Sequence, residues 1–246
     1  LDDIASYANI EELSNTYLNQ KIGQIEYRDW PTKLAWDTYL INPNLDNNGN
    51  EIDGSYSSLL YQDEKVNQRK SFSRSGGINE FVFTGGININ HKFYLGATLG
   101  FQDIDLRQVS EYSETFGDNS YTFGEDYKLT GNGYNFKFGT IFKPQNNIRL
   151  GLAIHTPTYF VLKEEKQLYM DSRLIENYSS DGINVYEYNL YSPWKTVFSA
   201  AYVFGKMGLI SLDAEYLDYS KMKYRKNSSY NEDLSDVNTE ITNGFN

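Results

Sequence analysis

The chain has 246 residues, and its 33 acidic and 22 basic side chains give a net charge of -11. This charge argues against a surface for nucleic acid, which needs clustered lysine and arginine. Cysteine is absent and histidine occurs only twice, which excludes disulfides and thiolate chemistry and argues against a zinc or heme site. No nucleophile elbow, phosphate-binding loop or dinucleotide fingerprint is present. We therefore expect no enzyme, no bound metal and no cofactor.

The first 64 residues predict a mixture of helix and loop. Residues 4–13 carry a weak helical stripe of apolar side chains. A Trp-Pro pair at 30–31 is expected to break this segment. Residues 33–41 fit a helix face almost as well as a strand. Turn-forming residues crowd positions 42–64, which predicts a long polar loop.

Alternation of apolar and polar side chains dominates residues 65–226 and predicts antiparallel strands. Each strand has an apolar face, whereas the opposite face carries full charges such as Lys137, Arg149 and Lys195. A soluble β core would hold mid-strand charges only at a cost, but a water-filled lumen holds them easily. The apolar positions include Phe81, Phe83, Ile87, Ile89, Phe93, Leu95, Leu99, Phe101, Tyr134, Phe136, Phe138, Phe142, Leu150, Leu152, Ile154, Phe198, Ile210, Leu212 and Tyr216.

The connections between these strands alternate in length. Short turns are predicted at 90–91, 144–147 and 205–208, and polar stretches at 111–124, at 171–184 and after 226 are interpreted as long loops. The predicted strands are also well above the mean strand length of roughly 5–6 residues. Long strands joined alternately by short turns and long loops are typical of an outer-membrane barrel. Trp194, Tyr202 and Phe204 would suit its aromatic girdles.

These patterns predict an all-β fold, an antiparallel up-and-down transmembrane β-barrel. We divide the chain into a helical and loop segment at 1–64, outside the membrane or in the lumen, a long-strand region at 65–226, and a polar loop at 227–246. The alternative is an aromatic-rich soluble sandwich or barrel with one solvated face.

Several segments resemble the FadL/TodX family of outer-membrane transporters for hydrophobic compounds, including the branch labelled putative hemin receptor. The resemblance covers roughly residues 66–226. The matching segments are SGGINEF at 75–81, KFYLGATLG at 92–100, IRLGLAIHTPTYF at 148–160, SPWK at 192–195, AYVFG at 201–205 and GLISLDAEYLDYS at 208–220.

The resemblance implies a monomeric barrel of roughly 14 strands in the outer membrane of a Gram-negative bacterium. It would pass long-chain fatty acids or other hydrophobic small molecules by passive diffusion, in contact with outer-membrane lipid. The family's N-terminal plug with its Asn-Pro-Ala signature, and its C-terminal aromatic strand end, do not match this sequence, so we interpret the chain as a fragment. Two other functions stay open, a structural or adhesive surface protein and a soluble lipid-binding β-protein.

The apolar residues between the predicted helix and the polar loop suggest a ligand-capturing groove outside the barrel. An equally weighted interpretation is that these side chains simply pack against the barrel rim. The candidate ligand-binding residues in this stretch are Trp30, Leu34, Trp36, Tyr39 and Leu40.

Two further motifs carry possible chemistry. His155 and Thr156 could line the lumen beside a ligand, but Pro157 interrupts ladder bonding and favours a bend or bulge. Asp213 and Glu215 are expected to pair with cations of the lumen such as Lys195 or Lys137. An Asp- and Asn-rich stretch at 46–53 resembles a calcium loop in composition but lacks the twelfth-position Glu of an EF-hand, so a plain solvated loop is favoured.

Overall fold

The computed structural model describes residues 1–61, 64–174, 179–227 and 234–245. Its secondary structure is mostly antiparallel strand with a few short helices, which confirms the all-β class. The chain groups into two compact units. The first unit comprises Leu1–Ser75, Arg107–Lys128 and Glu165–Val185; the second comprises Gly76–Leu106, Leu129–Glu164 and Tyr186–Asn246.

The N-terminal part of the first unit contains three helices and a hairpin. The helices are α1 (Asp2–Ile10), α2 (Asn15–Leu18) and α3 (Trp30–Asp37), with 3₁₀ turns at Ile22–Gln24 and Tyr27–Asp29. The Trp-Pro pair at 30–31 does not break a helix but begins α3, because proline lacks only an N–H that the first helical turn leaves unpaired.

The predicted polar loop at 42–64 is wrong over most of its length. Strands β1 (Ile41–Leu45) and β2 (Glu51–Ser58) form an antiparallel hairpin there. The Asp46 carboxylate accepts hydrogen bonds from the backbone N–H groups of Asn48 and Asn50, at 2.8 and 2.9 Å. The Asp- and Asn-rich stretch therefore closes the hairpin turn, and these hydrogen bonds lower the pKa of Asp46.

A hydrophobic core fills the first unit. Ala8, Leu18 and Leu34 from the three helices are fully buried in it, and Tyr56 of β2 joins them. Strand residues far along the chain complete the core, namely Phe116, Tyr121, Leu168 and Met170. Each fully buried side chain of this size contributes about 1.5–3 kcal/mol, so the core ties the helices to strands that follow many residues later.

Asp29 is a charged residue buried within this unit, and it is only 2 % exposed. Its two carboxylate oxygens accept hydrogen bonds from the hydroxyls of Tyr7 and Tyr17, at 2.7 and 2.6 Å. Hydrogen bonds to an ionised acceptor are stronger than neutral ones. Burial, followed by this hydrogen bond, raises the pKa of Tyr7 to about 12, and the same two causes raise the pKa of Tyr17.

We expect the first unit to lose stability as pH rises from about 10 to about 12. A raised tyrosine pKa means that the protonated hydroxyl stabilises the fold, fully below the unfolded pKa and less as pH passes the folded one. Urea unfolding at pH 8, 10 and 12 would measure this loss. Replacing Tyr7 and Tyr17 with Phe should lower stability at pH 8 and make the decline less steep without abolishing it, because the pKa values of Tyr56, Tyr112 and Tyr169 in the same unit are also raised to about 12. An equally steep decline would contradict the assignment.

The remaining strands form one antiparallel sheet of nine strands. Within the described residues, β3 pairs only with β4, and β10 only with β9, so the sheet has an open edge at each of these strands. The strands are β3 (Val66–Ile89), β4 (Phe93–Phe116), β5 (Asn119–Gln145), β6 (Ile148–His155), β7 (Tyr159–Ser172), β8 (Ser179–Tyr191), β9 (Lys195–Val203), β10 (Leu209–Leu217) and β11 (Lys223–Lys226).

Three pairs of these strands continue one another after short interruptions. β6 continues into β7, β8 into β9, and β10 into β11, and the breaks fall at 156–158, 192–194 and 218–222. Since β6 and β7 both pair with β5, the sheet is in effect an up-and-down meander of long strands, which agrees with the antiparallel order expected from the sequence.

The predicted rhythm of short turns and long loops holds only in part. The turns near residues 90, 146 and 206 are short, as expected. The polar stretch at 111–124, however, belongs to β4 and β5, which are separated only by residues 117–118. Polar side chains occur both in solvated strands and in loops, so polarity alone misassigned this segment.

Helix α4 (Ser235–Gly244) occupies much of the segment at 227–246 for which the sequence predicted a polar loop. The Asn238 side chain fixes it to β11, because its oxygen accepts from the Tyr224 N–H at 2.7 Å and its amide donates to the Tyr224 carbonyl at 2.9 Å. Among the helices that the structure describes, none has the length and apolar character needed to cross a membrane.

Candidate functional site

The residues predicted to line a capture groove do not share one surface. Trp30, Leu34 and Leu40 are buried in the core of the first unit, at 4 %, 0 % and 0 % exposure. Trp36 is half-buried, and its indole N–H donates to the Asn19 side-chain oxygen at 3.2 Å. Tyr39 is exposed and has a left-handed backbone with φ of 59°. For the three core residues, burial favours the packing interpretation over the groove.

Two substitutions separate these interpretations. Leu40→Ser should destabilise the first unit by about 3 kcal/mol or more, because it opens a cavity and buries a hydroxyl. Tyr39→Asn should change stability by less than about 1 kcal/mol, since the side chain is exposed and asparagine tolerates a positive φ. Urea unfolding gives both values. If Tyr39→Asn instead abolished binding of labelled oleic acid without loss of stability, that result would support the groove interpretation.

The second predicted pair, His155 and Thr156, lies where the long strand is interrupted. The Phe136 N–H donates to Thr156 Oγ1 at 3.0 Å, and the Asn135 amide donates to Thr158 Oγ1 at 3.0 Å. The Thr158 N–H in turn donates to Ser192 Oγ at 2.8 Å. Side-chain hydroxyls thus replace ladder bonds that the proline-containing break removes, which agrees with the expected bend or bulge.

His155 also lies at the centre of a row of charged side chains across the polar face of the sheet. It is opposite Lys137 of β5 on one side and opposite Lys195 of β9 on the other. Lys137 Nζ lies 2.8 Å from a Glu80 carboxylate oxygen, and Lys195 Nζ lies 2.5 Å from a Glu215 carboxylate oxygen. The predicted pairing of Glu215 with Lys195 is confirmed, and the row has a cationic centre with carboxylates at both ends.

A groove of about 620 Å³ begins at this row and follows the polar face of the second unit. Its floor consists of small side chains, which leave room above the sheet: Gly139, Gly151, Ala153, Ser199 and Ala201. The groove continues to Arg149, six residues before His155, which corresponds to roughly 20 Å of strand. The Arg149 guanidinium forms no ion pair with any described residue.

The opposite face of the second unit is an exposed apolar band, and strand pairing confirms the segregation expected from alternation. Phe138 pairs with Ile154, Leu152 with Phe198, and the neighbouring pairs of β9 and β10 keep the same alternation. Side chains on this face are widely exposed, including Phe198 at 56 % and Leu212 at 72 %. Apolar patches of this extent mark a surface that contacts a protein partner, a ligand or a membrane.

Aromatic rings bound this band at both ends. Near the short turns, Phe93 stacks on Phe142 with ring centroids 4.6 Å apart, and Tyr202 contacts Phe204 at 4.8 Å. At the other end, three tyrosines on neighbouring strands form a continuous row, which we call the tyrosine row. It consists of Tyr134, Tyr159 and Tyr191. The ring centroids of Tyr134 and Tyr159 are 5.1 Å apart, and those of Tyr159 and Tyr191 are 4.8 Å apart.

Sequence reasoning missed the tyrosine row and the hydroxyl network at the strand breaks. Both depend on strand register, which brings Tyr134 and Tyr191 together across an intervening strand. The sequence does contain a signal for the strand breaks. Residues 156–158 are Thr-Pro-Thr and residues 192–194 are Ser-Pro-Trp, so each break has a proline next to a hydroxyl side chain that can bond to the backbone.

Comparison with models of known protein families gives no match, and comparison with curated proteins gives none either. The resemblance to the FadL/TodX family therefore stays a prediction that rests on the sequence segments themselves.

Proposed function

We propose that the second unit spans a bacterial outer membrane as part of a β-barrel, and that the protein passes hydrophobic small molecules across that membrane by passive diffusion. The observation that carries this proposal is the exposed apolar band bounded by two sets of aromatic rings, opposite a charged face. Lipid-spanning strands combine these features, with alternating apolar and polar faces and aromatic girdles at both interfaces.

The length of the band supports this assignment. β9 and β10 are each nine residues long, and a tilted spanning strand needs about 9–11. Trp194, directly before β9, is 56 % exposed and lies at one end of the band, with Tyr202 at the other. These are the positions expected of side chains at the two membrane interfaces.

The groove on the opposite face suits a long hydrophobic ligand with an acidic head. Its small-residue floor accommodates an alkyl chain. Lys137 and Lys195 are each paired with a glutamate, but an ammonium group has three N–H donors, so both lysines keep donors for a ligand carboxylate. A fatty acid lying along the groove would place its head beside His155 and its chain over Gly151 and Ala153, toward Arg149. Burial of the chain supplies roughly 25 cal/mol for each Å² of apolar surface.

The unpaired edges of the sheet support closure by further strands. In lipid, every backbone N–H and C=O must be paired, which excludes an open edge in a spanning sheet. The smallest spanning barrels have about eight strands. The described residues form fewer long strands than that. In this proposal additional strands complete the wall, and the barrel itself is monomeric.

Fractionation and uptake test the proposal together. The native protein should sediment with outer membranes, resist extraction without detergent and change its gel mobility on heating. Cells that carry the gene should take up radiolabelled oleic acid several-fold faster than cells that lack it. A native chain that remains soluble without detergent would contradict the membrane placement. Outer-membrane location with no difference in uptake would reject transport of this ligand class and favour a structural or adhesive role.

A further inference from the structure

The strongest unassigned surface feature of the second unit is a cluster of cations beside the tyrosine row. Lys221, Lys223 and Arg225 lie within five residues, in a chain whose net charge is -11. All three side chains are exposed, and none forms an ion pair with a described residue. A concentration of unpaired cations in such an acidic protein indicates an anionic partner.

Strand pairing places two of these cations beside the same tyrosine. Lys223 is opposite Tyr191 in the β8–β11 ladder. The Arg225 guanidinium lies over the Tyr191 ring, 4.8 Å from its centroid. A cation–π contact at this distance orients the guanidinium, and its remaining N–H groups stay available to an external acceptor.

The nearby carboxylates are already engaged by other donors. Asp218 accepts from the Ser220 hydroxyl at 2.6 Å, Glu164 from the Tyr188 hydroxyl at 3.2 Å, and Glu187 from the Asn227 amide at 3.5 Å. None of these carboxylates forms an ion pair with Lys223 or Arg225 among the described residues, so both cations keep N–H donors available to an external phosphate.

We infer that Lys221, Lys223 and Arg225, together with Tyr191, bind the phosphate of an anionic lipid headgroup. The inference rests on the proposed membrane-spanning role of the apolar band, because it places this cluster where headgroups lie. The tyrosine row lies at one end of the apolar band. β10 lies within the band, where Leu212 would face the acyl chains, and β11 continues that strand beyond the end of the band. Arginine binds phosphate through paired N–H donors, and basic residues at a membrane surface attract anionic lipid.

Native mass spectrometry of the detergent-solubilised full chain tests this site with two probes, phosphatidylglycerol and phosphatidylcholine at equal concentration. The wild-type protein should retain phosphatidylglycerol preferentially. The double variant Lys223→Gln/Arg225→Gln should retain about tenfold less of it, with phosphatidylcholine unchanged. The exchange variant Lys223→Arg/Arg225→Lys keeps both charges and should keep most of the retention.

A matched control removes two exposed cations from the first unit, Arg69→Gln/Lys70→Gln, and should retain phosphatidylglycerol as the wild-type protein does. Equal loss in this control, or no loss in the Lys223 and Arg225 variant, would overturn the inference. Full displacement of the lipid by an equal concentration of inorganic phosphate would also overturn it, since the site would then be a simple anion site. A protein that retains phosphatidylcholine but no excess of phosphatidylglycerol contradicts this site alone, whereas one that needs no detergent and retains neither lipid contradicts the proposed function.

Discussion

Replacing Phe198 with arginine is expected to cost the folded protein about 2–4 kcal/mol in a lipid bilayer. Phe198 lies midway along β9, between Trp194 and Tyr202, on the exposed apolar face. If that face contacts acyl chains, an arginine there must carry its charge into the middle of the hydrocarbon layer. Urea unfolding of the protein reconstituted in phosphatidylcholine vesicles would give the difference in free energy.

The next residue along the same strand is the matched control. Ser199 points to the polar face and is directly opposite Asp213 of β10, so Ser199→Arg gains a neighbouring carboxylate and should cost less than about 1 kcal/mol. Tyr202→Arg, near the edge of the band, should also cost only about 0–1 kcal/mol, because the penalty falls toward the interface. Equal penalties at positions 198, 199 and 202 would contradict a lipid-facing band.

The second large effect concerns the cationic centre of the charged row. The double variant Lys137→Met/Lys195→Met should slow the uptake of oleic acid by about tenfold or more, since it removes both ammonium groups that face His155 and leaves Glu80 and Glu215 to repel a carboxylate. Uptake of methyl oleate, which has the same chain without the charge, should change little. The ratio of the two uptake rates is the measurement.

Two exposed lysines in the strand turns provide the control for charge. Lys92→Met/Lys206→Met removes the same total charge outside the groove and should leave both uptake rates unchanged. If the Lys137 and Lys195 variant slowed acid and ester equally, the row would have a structural role only. If neither rate changed, the groove would not be the path of the ligand.

Alternation along the strands predicted the two faces of the second unit well. Phe138, Leu152 and Phe198 are on one face in the structure, as the sequence indicated, because side chains of a strand point to opposite sides with a period of two in any surroundings. The pairing of Lys195 with Glu215 was predictable for the same reason. The expected barrel, its location and its transport function remain proposals, since neither strand pairing nor family comparison tests them.

The predictions for the first unit were less accurate because its structure depends on distant contacts. The sequence leaves Trp30, Leu34 and Leu40 open to either a groove or a packed surface, and the structure buries them in a core completed by Phe116, Leu168 and other strand residues. The composition of the polar stretch at 111–124 predicts a loop, but most of its residues belong to β4 and β5. Local composition does not reveal either outcome, since an apolar side chain needs a surface to pack against and a polar strand needs a partner strand.

The sequence by itself determined which side chains share a face, since the strand period of two is a local property of the backbone. It also determined the short turns, where residues such as Asn90 and Gly205 adopt the positive φ that reverses the chain. Only the tertiary structure decided which strands are neighbours, and therefore that His155 lies between two lysines and that Arg225 lies on Tyr191. Those contacts join residues far apart in sequence, and only the pairing of whole strands brings them together.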